Sequence, residues 1–161
     1  MSQDPGVNPQ FFSWNFVYMK YCDGDSFSGA REDTVTWLGK DLHFRGHYVL
    51  EAVFDSLAAN IMKAATPWAS ATDIVLSGCS AGGLSTFLHT QFVADTYVPA
   101  GASFHSVPVS GFFLDAMSVQ GIAVYTQQMQ VVWDLQQPSE CPRPNPNPTL
   151  TPRPRTPPNA P

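Results

Sequence analysis

A serine stands among glycines at Gly78-Cys79-Ser80-Ala81-Gly82, with Gly83 following. This is the G-x-S-x-G pattern, in which a sharp turn lifts a hydroxyl clear of the backbone around it. The chemistry dictates the residue types. Glycine on each side of the serine removes Cβ atoms that would clash in so tight a turn. The N–H of the next residue, Ala81, is then aimed at the charge that develops on a carbonyl oxygen under attack. The first turn of a following helix adds partial positive charge there. Ser80 is thus the candidate nucleophile and the Ala81 N–H the candidate oxyanion donor, for acyl transfer through a covalent intermediate. The alternative is a tight strand-to-helix turn, phosphate-binding at most, with an ordinary serine.

The pattern carries this meaning only if a strand enters the turn and a helix leaves it. Asp73-Ile74-Val75-Leu76-Ser77 is short and apolar, as a buried parallel strand is. Beyond the turn, Leu84, Phe87, Leu88 and Phe92 recur at helical spacing before Pro99. Upstream, the aromatic and β-branched run Trp14–Cys22 predicts a strand, stopped by Asp23-Gly24-Asp25-Ser26. Residues 26–41 read as a mixed loop. A helix is predicted over 46–65 from Leu50, Val53, Phe54, Leu57 and Ile61, closed by Pro67. Downstream, Ala102–Val109 is a weaker strand, and Tyr125–Gln137 a helix with Met129, Val132 and Trp133 on one face. Strands and helices alternate, which implies an α/β fold with a parallel sheet covered by helices.

Residues 1–12 read as a loose lead-in, 13–137 as one small domain and 138–161 as a proline-rich, disordered tail of polyproline II character. The tail is open to three readings: a stiff linker, a ligand for an SH3- or WW-type domain, or an artefact of how the chain was defined. The 161-residue chain carries a formal net charge of −5. Residues 1–137 hold five Lys or Arg against twelve Asp or Glu, with no basic stripe, so nucleic acid is not an expected partner. No apolar run approaches membrane-spanning length, so no membrane span is expected. Met1–Gly6 has neither a basic start nor an apolar stretch of signal-peptide type.

The segment Ser77–Leu84 resembles the nucleophile segment of the pectin acetylesterase and Notum family of serine esterases. Three further segments resemble blocks of that family in the same order: Tyr21–Gly29, Leu42–Gly46 and Ser110–Asp115. Together they span about residues 12–137, and four ordered blocks are far more specific than one turn motif. The resemblance implies an α/β-hydrolase-like sheet, here partial, and a Ser-Asp-His triad. It implies removal of acetyl groups from polysaccharide, or cleavage of another ester, with no metal or cofactor. It also implies a secreted or cell-wall protein.

On this fold the acid and the histidine follow the serine in the chain. After Ser80 there are only His89 and His105, of which His105 is the better geometric candidate. The family's acid and base lie further downstream, so both histidines are expected to be structural or surface groups, as are His43 and His47. Asp95 reads as a solvated helix-end residue, Asp115 as a structural group, and Asp23 and Asp25 as turn formers. The family's Gly-Gly-Gly-Trp-Cys-like loop, which supplies further oxyanion donors, has no counterpart here. A chain without these parts is also readable as a non-catalytic interaction protein, or as a gene model ending in translated intron. The resemblance further implies that Cys22 pairs in the full-length protein. Peptide mapping there is expected to find Cys22 oxidised, and a free thiol would refute the pairing.

Overall fold

The computed structural model describes residues 2–61, 63 and 66–137. Its elements run β1 (Val35–Trp37), β2 (Lys40–Leu42), α1 (Gly46–Ala58), a 3-10 turn at Trp68–Ser70, β3 (Asp73–Cys79), α2 (Ala81–Thr96), β4 (Ser103–Val109) and α3 (Val124–Gln136). The tail expected at 138–161 lies outside the described residues.

β3 and β4 are parallel and pair along their whole length, from Asp73 opposite Ser103 to Cys79 opposite Val109. α2 is the crossover between them, so the alternating α/β order read from the sequence is realised as a β-α-β unit. Pro108 is tolerated in β4 because only one edge of that strand is paired among the described residues. One face of the pair, with Ile74 and Leu76 from β3 and Phe104 from β4, turns inward. The other, with Val75, Val107 and Val109, stands exposed.

The core is small. Phe27, Leu50, Phe54 and Val93 form its centre, with Leu57, Trp68, Phe92 and Tyr97 packed around them. Phe54 stacks on Tyr97 at 5.0 Å and meets Trp68 edge-on at 5.8 Å. The Trp68 indole N–H donates to the Tyr97 carbonyl at 2.7 Å, so its polar end is satisfied.

Three sequence expectations need correction. The strand over Trp14–Cys22 does not form. Tyr18 is 88% exposed, and among the described residues no strand pairs with the segment, so its β-propensity has no ladder to join there. The supposed mixed loop contains the β1–β2 hairpin, whose turn residues Leu38 and Gly39 have φ of 49° and 73°. Positive φ at both central residues is the type I′ geometry that suits the twist of paired strands. The helix over 46–65 stops at Ala58. Asn60 takes φ 50°, its N–H bonding Leu57 O while that of Ile61 bonds Ser56 O, a Schellman cap with asparagine in the left-handed position.

α2 also buries a different face from the apolar one. Gly83, Thr86, His89 and Val93 point inward, and Phe87 is left 56% exposed. Small and polar residues allow the closer approach. Thr90 Oγ1 meets Ser106 Oγ on β4 at 2.6 Å, and Val93 is fully buried.

Gly78 and Gly46 are among the glycines fixed by close contacts. A Cβ on Gly78 would lie 2.8 Å from Gly82 Cα and nearer still to the Gly82 carbonyl, all of it backbone. A Cβ on Gly46 would lie 2.8 Å from Phe27 Cα and collide with the Asp23 carboxylate. Gly82 has nothing within 4 Å of the same position. Gly78→Ala is therefore expected to cost about 2–3 kcal/mol by overpacking. Gly82→Ala is expected to be neutral or to stabilise by up to about 1 kcal/mol through helix propensity. Urea denaturation of the two variants checks both.

Candidate active site

The turn between β3 and α2 is built from both sides. Ser80 N–H donates to Val109 O at 3.0 Å, extending the β3–β4 ladder by one residue, while Ser80 O accepts from Leu84 N–H at 3.0 Å and opens α2. A residue serving both elements cannot keep the dihedrals of either. Ser80 has φ 56° and ψ −115°. That is the first central position of a type II′ turn, which normally demands glycine. A serine there carries backbone strain of about 1–3 kcal/mol.

The flanking contacts hold this conformation. Gly78 lets the Gly82 backbone fold over β3, and Gly83 lies against Val109 O and Gly111. Thr86, buried in α2, donates its hydroxyl to Gly82 O at 2.8 Å and ties the first turn down. The glycine requirement thus falls on Gly78 before the serine and not on Gly82 after it. Ser80 itself is exposed. Ala81 is the first residue of α2, so its N–H has no acceptor within its own helix and lies at the positive end of the helix dipole.

None of the histidines is placed to act on Ser80. His89 lies nine residues along α2, about 13 Å at 1.5 Å per residue. It is 3% exposed, and its Nε2 lies 3.3 Å from Ser26 O. Burial depresses its pKa to about 4. His47 lies beside it with tilted rings and centroids 5.7 Å apart, so it too is remote. His105 pairs with Val75, five residues before Ser80 on β3, which is about 16 Å away at strand rise. It is exposed, and its standing as the better candidate is lost on distance. His43 Nδ1 sits 3.4 Å from Thr34 Oγ1 in the chain flanking the hairpin.

The acidic residues have structural partners. Asp23 Oδ2 accepts from Phe27 N–H at 3.0 Å, and Asp25 accepts from the Ser28 hydroxyl at 2.5 Å. Burial raises the pKa of both. Asp95 accepts from the Gln91 amide, and Asp115 from the Thr126 hydroxyl, which fastens the segment after β4 to α3. Among the described residues no cluster of three or more His, Cys, Asp or Glu is placed to hold a metal ion. Cys22 and Cys79 are exposed free thiols.

One contributor was missed in the sequence, Thr86 as the tie on the turn, whereas His89 is the structural group that the sequence allowed. A signal for it existed. Gly83, Thr86, Thr90 and Val93 recur every three or four residues, a stripe of small side chains suited to close packing.

Comparison with known proteins bears on the whole chain. Pectin acetylesterase 5 of Arabidopsis thaliana is 40% identical over 121 residues, covering 75% of this chain and 26% of that protein. The palmitoleoyl-protein carboxylesterase notum1 of Xenopus laevis is 30% identical over 118 residues, covering 71% of this chain and 22% of that protein. The chain therefore spans about a quarter of the length of these curated relatives. The structure of the Wnt deacylase Notum from Drosophila superposes with a TM-score of 0.73 at 25% identity, covering 88% of this chain and 41% of that one. Its fold is accordingly part of the α/β-hydrolase-like architecture of that neighbour. The model of the pectinacetylesterase family matches residues 1–152, and with nearly all of its length accounted for in this way, the chain belongs to the pectinacetylesterase family.

Proposed function

We propose that residues 13–137 are the nucleophile-bearing part of a carboxylic ester hydrolase that removes acetyl groups from polysaccharide. Ser80 Oγ attacks the ester carbonyl carbon, its proton passing to a base, and the sugar hydroxyl leaves with a proton returned from that base. Water then hydrolyses the acyl-serine and regenerates the hydroxyl. The Ala81 N–H donates to the oxyanion in both steps. The observation that carries this reading is the backbone of Ser80, glycine-like at φ 56° and ψ −115°, exposed between a parallel strand and a helix N-terminus. Strain at an exposed serine is what a functional turn retains and a merely structural one has no reason to keep.

The base and its acid come from outside the described residues, since every described histidine is remote or turned to another partner. Residues 138–161 would serve as a linker or as a ligand for an SH3- or WW-type domain. Secretion to the exterior or the cell wall fits a sugar ester as substrate. The acidic balance of the chain speaks against nucleic acid as a partner. Among the described residues no helix is long and apolar enough to cross a membrane.

Two measurements test the proposal. Residues 13–137 replace the matching segment of Arabidopsis pectin acetylesterase 5, and release of acetate from acetylated pectin is followed. The chimera is expected to be active and Ser80→Ala to reduce kcat by about 10⁴-fold or more. An active chimera indifferent to Ser80→Ala sinks the assignment. The 161-residue chain alone is expected to show no acetate release above background, because a serine without a base is a weak nucleophile at neutral pH. Labelling of the isolated chain by a fluorophosphonate, lost in Ser80→Ala, would show that it holds a working base after all.

A further inference from the structure

The β1–β2 hairpin stands off the body of the protein. Among the described residues neither of its strands packs on another helix or strand. Two bonds brace its foot: Arg31 N–H donates to Phe44 O at 2.9 Å, and Arg45 Nη2 donates to Glu32 O at 2.8 Å. A two-stranded hairpin alone is marginally stable in water, and apolar side chains left in solvent at its tip do not help it. Yet Trp37 is 65% exposed and Leu38 is 87% exposed. Leu38 also holds φ 49°, a left-handed position that Asn, Asp or Gly fills with less strain.

The register sorts the two faces of the hairpin. Trp37 stands opposite Lys40 and Val35 opposite Leu42, so these four side chains share one face, while Thr36 and Asp41 occupy the other. Asp41 is engaged there, accepting from the Thr36 hydroxyl at 2.9 Å. Lys40 is therefore the one charge on the face that carries the indole. Residues directly opposite in an antiparallel pair have Cβ atoms about 5 Å apart. A flat, electron-rich ring and an ammonium thus stand side by side at the tip.

We propose that the Trp37–Lys40 face is a second binding point for polysaccharide, on an element that carries none of the Ser80 turn, and that it takes an acidic sugar unit of the polymer. A pyranose ring offers a face of polarised C–H groups to the indole. A uronate carboxylate is attached directly to that ring, which brings it within the span of the Lys40 side chain. The complementarity is local. The chain carries a net charge of −5, so no long-range field draws a polyanion to it, and the choice of an acidic sugar follows from the charge of this face alone. The inference rests on the reading of Ser80 as a polysaccharide esterase, which supplies the class of polymer. It adds a contact that keeps the protein on the chain of sugars while Ser80 meets successive esters.

The test uses polygalacturonate, which carries no acetyl ester, so retention on it and acetate release by the chimera fail independently. Binding isotherms on polygalacturonate-coupled resin are measured for the whole 161-residue chain. Wild type is expected to bind, and Trp37→Ala to lose about 5-fold or more in affinity, as truncation of a tryptophan anchor does. Lys40→Gln is expected to bind about 2- to 5-fold more weakly at low salt and to match wild type at high salt, where an exposed ion pair is screened. Absence of wild-type binding, or equal binding by Trp37→Ala, overturns the proposal. So does a Trp37→Ala that alters the elution of the chain in size exclusion while binding is unchanged, which makes the tip a contact between copies. Should Trp37→Ala not fold, the wild-type indole N–H resonances decide. A shift of Trp37 on adding polygalacturonate, larger than that of Trp68, supports the proposal, and a still Trp37 refutes it.

Discussion

The backbone of residues 26–31 is where all three helices are tied down. Ser26 O faces His89 on α2, and Gly29 O accepts from His47 N–H at the start of α1. Ala30 O accepts from the Tyr48 hydroxyl, and Ala30 N–H reaches Gln136 O at the end of α3. Buried carbonyls and amides must find partners somewhere. Here they find them on helices, which converts an irregular loop into the joint of the domain. The loop keeps its shape through its own side chains: the Tyr21 hydroxyl accepts from Ser26 N–H, and the Asp23 carboxylate from Phe27 N–H. Gly46 leaves room for that carboxylate beneath α1. Since α2 carries Ser80 at its start and His89 in its middle, the same joint sets the direction in which the serine turn points.

The sheet is the thinner part of the structure. β3 and β4 share seven register pairs, and α2 covers only one of their faces. Val75, Val107 and Val109 face outward together, as does Leu114 beyond β4. In a parallel α/β fold such valines belong between a sheet and helices on its second side. The Drosophila Notum structure matches this chain over 41% of its own length, so most of that larger fold has no equivalent among the described residues. Open apolar strands make self-association the main hazard for the isolated chain.

Much of this was legible in the sequence where local pattern and tertiary role agree. β3, β4, α2 and α3 fall within two or three residues of where apolar runs, small-residue turns and prolines put them. Readings failed where a partner decided the outcome. Trp14–Cys22 has strand composition but no ladder, and composition cannot supply one. The β1–β2 hairpin was hidden because Leu38 occupies a left-handed turn position usually marked by Asn, Asp or Gly. On α2 the spacing of Leu84, Phe87, Leu88 and Phe92 marked a helix but not its buried face, because apolar residues lie all round it and close approach to β4 buries small residues while Phe87 stays exposed. For the site, the turn around Ser80 could be read locally. The remoteness of His105 could not, because it depends on the register of β3 against β4.

The strain at Ser80 links these levels. A left-handed serine at the end of a strand is unstable by itself, and the chain would relax if either neighbour could move. Ser80 N–H is held by Val109 O, and Gly82 O by the Thr86 hydroxyl. Both of those anchors depend on α2 and β4 staying in register, which Thr90 and Ser106 secure from the side. The hydroxyl itself bonds to none of this scaffold's caps, as Ser80 makes no side-chain cap to α2. A serine at a helix start normally turns its oxygen back onto the N–H groups of the first turn, where it stabilises the helix by about 1 kcal/mol. Here that contribution is forgone, the backbone is strained as well, and the oxygen is left facing solvent beside the helix N-terminus. Stability alone gives no reason to combine those two costs at one residue. The proposed attack by that oxygen on a carbonyl carbon, with the oxyanion forming against the Ala81 N–H, would supply one.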